Sequence, residues 1–243
     1  MLTEIILAII QAATEFLPVS SSGHLALISN LISQPDLFFF TSLHLASLFA
    51  VLIFSRKEIK ELVTFNPKYR KLWLYLLLAT IPAGIVGFLF QDYIEKSFSS
   101  LLFLGLAFIF TGIISLLTKF TWVYSKLNIK NSLIIGFFQV LALFPGVSRS
   151  GMTISAGLFS GLEKEKAARF SFLLFIPLAL GAFILELKDF YINFSLIISF
   201  FLCLVLSLLF LNLLVYIIKK GNFWLFSIYC FLVGLISLIL YFF

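Results

Sequence analysis

Residues 11–24 read QAATEFLPVSSSGH, and residues 139–153 read QVLALFPGVSRSGMT. Each is an apolar stretch that halts at a proline and resumes after a run of serine and glycine. A residue ahead of proline is pushed out of helical geometry. A serine ahead of an apolar run is a helix N-cap signal. Each stretch therefore predicts two short helices joined by a break. The flanking apolar segments are 2–14 and 21–34 around the first break, and 131–143 and 151–161 around the second. All four fall short of the roughly 20 unbroken apolar residues needed to cross a bilayer core of about 30 Å. Segments of this kind predict re-entrant hairpins. Broken backbone at membrane depth is tolerated only where protein buries it or a wet cavity receives it.

Sliding the chain by 128 residues aligns 11–23 with 139–151. Identities fall at Gln11/Gln139, Phe16/Phe144, Val19/Val147, Ser20/Ser148, Ser22/Ser150 and Gly23/Gly151. Three segments long enough to span follow each break: 37–55, 71–90 and 100–118, then 168–186, 192–218 and 222–243. Three is odd, so the second half enters from the opposite face. The expected fold is an all-α polytopic integral membrane protein, an inverted-topology repeat with six transmembrane helices and two pairs of re-entrant helices. It forms one domain, 1–243, with halves of about 1–120 and 129–243. Such repeats place their site near the bilayer midplane, where the broken helices meet.

Composition agrees. Of 243 residues, 62% are hydrophobic and 12% charged, against about 45–50% and about 25% in soluble domains. A soluble enzyme, a nucleic-acid-binding domain and a disordered chain are excluded. With both hairpins returning to the side they came from, fourteen of the 17 Lys and Arg residues fall on one side. Lys96 and Lys188 fall on the other, and Arg149 lies inside the second break. The positive-inside rule makes the rich side cytoplasmic, with both termini outside. Cys203 and Cys230 lie within apolar runs and read as small hydrophobes. Glu4, in place of a basic leader, argues against a cleavable signal peptide.

The breaks carry the polar chemistry. The first holds Glu15, Ser20, Ser21, Ser22, Gly23 and His24; the second holds Gly146, Ser148, Arg149, Ser150, Gly151 and Thr153. Arg149 is a cation within the apolar part of the chain, which costs at least about 2.5–3.5 kcal/mol. Its expected partner is Glu15 or an anionic ligand. The hydroxyls can cap the helices that follow, and free N–H groups at two helix N-termini suit an anion. Two such ends plus a bidentate arginine favour a phosphate or diphosphate. His24, about one turn beyond Ser21, brings an imidazole near a hydroxyl, as acid–base or nucleophilic catalysis requires. Glu15 can act as a base, or hold Mg²⁺ or Ca²⁺ jointly with phosphate oxygens; Gln11 shares its face one turn earlier. His44, within the first span, either faces the cavity or is an ordinary packing histidine, the second being the commoner case, and Pro82 and Pro177 read as helix kinks.

The Gln-x-x-x-Glu of 11–15 followed by FLPVSSSGH at 16–24 resembles the first signature of the bacterial undecaprenyl-diphosphatase family, of the bacitracin-resistance type. PGVSRSGMT at 145–153 resembles the second. The resemblance covers the whole chain and its order of spans. Gln11 stands where some members have a second glutamate, leaving one carboxylate at this hairpin. Met152 is bulkier than the residue often found there. The resemblance implies hydrolysis of undecaprenyl diphosphate to undecaprenyl phosphate and inorganic phosphate. That reaction recycles the lipid carrier for peptidoglycan and other cell-wall polymers, and the family confers bacitracin resistance. It further implies a divalent-cation requirement, a place in the bacterial cytoplasmic membrane and a site open toward the outer face.

By motif matching, Glu15, Ser21 and His24 carry over from the first signature, and Ser148, Arg149 and Thr153 from the second. The nucleophile is then Ser21 activated by His24, a water activated by His24 or Glu15, or His24 itself. Expected partners are the polyprenyl diphosphate lipid, membrane lipid and a second copy of the chain as a homodimer. The alternative class is a flippase of polyprenyl phosphate lipid, which would use the same anion site but needs no base beside a hydroxyl. Type-2 phosphatidic acid phosphatases share a Ser-Gly-His stretch and a Ser-Arg pair. Their Lys/Arg-rich first motif and second catalytic histidine are missing here, Met152 and Thr153 following SRSG.

Overall fold

A computed structural model describes residues 1–29, 37–64, 70–185 and 191–243. Lys68, Lys188 and the end of the short segment 21–34 lie outside the described residues. Helices α1 (Leu2–Phe16) and α2 (Ser21–Ser29) form the first hairpin, and α8 (Ile129–Leu141) and α9 (Arg149–Phe159) the second. Helix α1 stops for the expected reason: Leu17, ahead of Pro18, is extended at φ −60° and ψ 141°. The next helix of each hairpin starts on a repeat-equivalent cap. Ser20 Oγ accepts from the Gly23 N–H at 3.2 Å, and Ser148 Oγ from the Gly151 N–H at 3.1 Å.

The spans are α3 (Leu37–Phe54), α5 (Arg70–Leu89) and α7 (Leu101–Leu117) in the first half. In the second they are α10 (Lys164–Leu185), α11 (Phe194–Lys219) and α12 (Phe226–Phe242). Among the described residues, five helices are long and apolar enough to cross a membrane. A sixth is counted when α3 is joined to α4 (Arg56–Val63), to which it is bent by 81°. Helix α4 and a second short helix, α6 (Gln91–Ser97), occupy stretches where hydropathy alone predicts loops. In α4 the apolar Ile59 and Leu62 pack on the core while Glu58 pairs with Arg169 of α10. A one-sided apolar stripe this short carries little signal in a span-length window.

Packing follows membrane rules. Along α11 the buried face is Ser199, Cys203, Ser207, Leu211, Leu214 and Ile218, while Phe201, Val205, Leu209 and Leu213 are exposed. Small residues face neighbouring helices and large apolar ones face outward, because lipid offers no hydrophobic drive between helices. Ser47 of α3 meets Ser207 at 3.2 Å. Helices α7 and α12 approach through Gly105 and Gly234, where a Cβ on Gly234 would lie 2.9 Å from the Gly105 carbonyl oxygen. The two halves exchange partners: α1 packs on α11 and α8 on α5, while α3 meets α10 and α7 meets α12. Since α1 and α8 are repeat-equivalent, as are α5 and α11, each half lays its first helix on the other half's second span. That exchange brings the two breaks together.

Candidate active site

The two breaks touch. A Cβ on Gly23 would lie 2.7 Å from the Gly146 Cα, and Ser150 Oγ donates to the Leu17 carbonyl at 3.2 Å. Gly146 has φ +87°, which suits glycine. Its carbonyl accepts from Thr111 Oγ1 at 2.9 Å, and Thr111 Oγ1 in turn accepts from the Ser148 N–H at 3.1 Å, stitching the second break to α7. Ser20, at φ +68°, is a non-glycine residue in left-handed geometry, a strain that clusters at functional sites.

One buried carboxylate joins both hairpins. Arg149 Nη2 donates to Glu15 Oε1 at 2.8 Å. Ser21 Oγ donates to Glu15 Oε2 at 2.6 Å, and Gln11 Nε2 to the same oxygen at 2.9 Å. His44 Nε2 lies 3.5 Å from that oxygen. Arg149 also lies over the Phe175 ring, 4.3 Å from its centroid, and Nη1 reaches the Ser171 carbonyl at 3.4 Å. Thr153, one turn into α9, donates to the Arg149 carbonyl at 2.8 Å and meets Ser171 Oγ at 2.6 Å. Of the two partners expected for Arg149, Glu15 is the one found.

These groups open on a cavity of about 710 Å³. Glu15, Ser20, Ser21, Ser22, Ser148 and Arg149 all line it, so the N-termini of α2 and α9 face one space. Its far walls are apolar or small, including Gly84, Gly87 and Phe88 of α5 and Pro177 and Gly181 of α10. Cationic donors and free N–H groups at one end with apolar walls at the other suit an anion attached to a hydrocarbon chain.

Gly23, Gly146, Ser150, Gly151 and Thr153 do not line the cavity; they hold the hairpins against each other and against α7 and α10. The expected pairing of Ser21 with His24 is not formed. His24 Nδ1 lies 2.7 Å from the Ser20 carbonyl, which can only accept, so Nδ1 carries the hydrogen. Its Nε2 accepts from Tyr229 Oη at 2.8 Å, and the two rings stack. Sequence reasoning missed Tyr229 and ranked a cavity-facing His44 below a packing one; His44 lines the cavity. A histidine in the otherwise apolar stretch LFFFTSLHLASLFAVLIF was the available signal. Tyr229 offered none.

Comparison of the sequence with known proteins points to one family. The chain matches the family described as bacitracin resistance protein BacA over residues 4–236. It is 43% identical over 247 residues to an undecaprenyl-diphosphatase of Thermosipho africanus (strain TCF52B), covering 97% of this chain and 98% of that protein. A protein of the same name from Methanococcus vannielii is 40% identical over 240 residues, covering 95% and 96% of the two chains. One from Desulforapulum autotrophicum is 38% identical over 265 residues, covering 97% and 96%.

Proposed function

This chain belongs to the bacitracin resistance protein BacA family, and from that membership and the geometry around Glu15 we infer that it is an undecaprenyl-diphosphatase. It is a multi-pass membrane hydrolase that turns undecaprenyl diphosphate and water into undecaprenyl phosphate and inorganic phosphate. Its relatives carry a hydrolase's name, which favours this reading over a flippase. The product is the lipid carrier of cell-wall polymers in reusable form, and bacitracin resistance follows from the family. The proposal includes both termini outside the bacterial cytoplasmic membrane, supported by the loop-charge asymmetry. It also includes repeat halves of about 1–120 and 129–243, supported by the exchanged packing of α1 and α8.

One observation carries the site assignment: a buried carboxylate bonded at once to a hydroxyl of one hairpin and the guanidinium of the other. The terminal phosphoryl group sits between the N-termini of α2 and α9, bound by Arg149, Ser148 and helix-end N–H groups. Ser21 Oγ attacks its phosphorus. Glu15 takes the Ser21 proton and passes it to the bridging oxygen as that oxygen leaves with undecaprenyl phosphate. Water then cleaves the Ser21 phosphoester, releasing inorganic phosphate. Phosphoryl transfer through a loose transition state needs mainly positioning and charge stabilisation. His24, held by Ser20 and Tyr229, fixes the turn that presents Ser21.

Among the described residues no three His, Cys, Asp or Glu side chains gather to hold a metal by themselves. Glu15 is nonetheless accompanied by Gln11, whose buried Oε1 has no hydrogen-bond partner. This set fits a divalent cation shared with phosphate oxygens rather than enclosed by protein. Glu15 with Gln11 would hold Mg²⁺ or Ca²⁺, which when bound offsets charge developing on the transferred group.

The test is phosphate release from undecaprenyl diphosphate by purified protein. Breaking a buried ion pair costs about 3–5 kcal/mol, so the conservative variants Arg149→Lys and Glu15→Gln are the informative ones. Each should lower the rate about 100-fold or more while the protein remains folded in detergent. Near-normal activity in either would remove the site assignment.

A further inference from the structure

His44 of α3 lines the cavity and takes no part in the mechanism above. Its Nδ1 lies 2.9 Å from the Phe40 carbonyl. A carbonyl can only accept, so Nδ1 carries the ring hydrogen and Nε2 of the neutral ring presents a lone pair. That lone pair meets Glu15 Oε2 across 3.5 Å. Two acceptors held face to face call for a positive centre between them, either a proton on Nε2, which makes the contact an ion pair, or a metal ion. Glu15 and Arg149 already offset each other, so beyond the helix ends the cavity holds little positive charge with which to meet a diphosphate. A divalent cation supplies it. Two ligands each about 2.1 Å from an ion stand about 3.0–3.4 Å apart at angles of about 90–110°. The observed spacing is close to that.

We propose that His44 Nε2 is a nitrogen ligand of the divalent cation held at Glu15 and Gln11, the remaining positions being filled by phosphate oxygens and water. The inference rests on the diphosphatase reading of this cavity. It also changes the ion expected: Ca²⁺ and Mg²⁺ both take oxygen ligands, whereas a mixed nitrogen and oxygen set favours a first-row transition ion such as Mn²⁺.

Mn²⁺ serves as the probe, added to the purified full-length protein with inorganic phosphate. Electron spin echo modulation reads nitrogen bonded to the metal without any turnover. The chain has two histidines, His24 and His44, so two variants complete the assignment. Imidazole nitrogen modulation is expected in the unaltered protein and in His24→Gln. It is expected to vanish in His44→Gln, with Mn²⁺ affinity lowered about tenfold or more. Should His44→Gln fail to fold, His24→Gln decides alone, because it leaves one histidine. Modulation absent from the unaltered protein or from His24→Gln, or retained in His44→Gln, overturns the proposal. Phosphate release is measured separately. Its absence would sink the diphosphatase reading while leaving the nitrogen coupling in place.

Discussion

Ser21 and His24 sit three residues apart on one short helix and serve different partners. Ser21 gives its hydrogen to Glu15, whereas His24 is engaged by Ser20 and Tyr229. Three residues advance a helix by about 300°, leaving the two side chains about 60° apart. Spacing therefore predicts that they are neighbours without saying which one faces a cavity. Tyr229 lies 205 positions from His24, and no local pattern announces such a partner. The division of labour has a direct consequence for the nucleophile. With substrate labelled at its terminal phosphorus, acid quenching during turnover should leave label on the unaltered protein and none on Ser21→Ala, whose rate falls about 100-fold or more. Turnover of Ser21→Ala at a near-normal rate would make water the nucleophile instead.

Helices α5 and α10 show how an element's small residues shape a ligand's room. Each continues through a proline, Pro82 and Pro177. Each then carries a glycine, Gly84 and Gly181, with nothing within 4 Å of the position a Cβ would take, and both glycines line the cavity. The sequence marks the prolines as kinks but does not say that the glycines face a void, because an open position and a close contact call for the same residue. Gly105 and Gly234 are the opposite case, pressed against neighbouring backbone. Leucine at position 84 or 181 should therefore fill substrate space at little cost to the fold. Michaelis kinetics on undecaprenyl diphosphate should show KM raised about tenfold with melting temperature unchanged. An unaltered KM would mean that the polyprenyl chain runs elsewhere.

The molecule as a whole is turned outward, with large apolar side chains on the lipid side and Ser, Cys and Gly between helices. Its orientation can be checked with single cysteines, since Cys203 and Cys230 are buried. On intact cells a membrane-impermeant maleimide should label Ser99→Cys and spare Lys126→Cys until the membrane is opened; the reverse pattern would invert the topology. Hydropathy, the prolines of the two breaks and their capping serines act over a few residues or one span. The all-helical membrane class, the paired hairpins and the repeat were accordingly legible in the amino-acid order alone. So was the polar inventory of the site, because a charge or a serine run in an apolar chain stands out wherever it falls. The meeting of Glu15 with Arg149, 134 positions away, was legible as one of two partners. The turning of His24 toward Tyr229 and of His44 toward Glu15 was decided by the tertiary structure. Those contacts depend on which faces the helices present once α1 lies on α11 and α8 on α5, and that rotation is set by packing between distant segments rather than by any local signal.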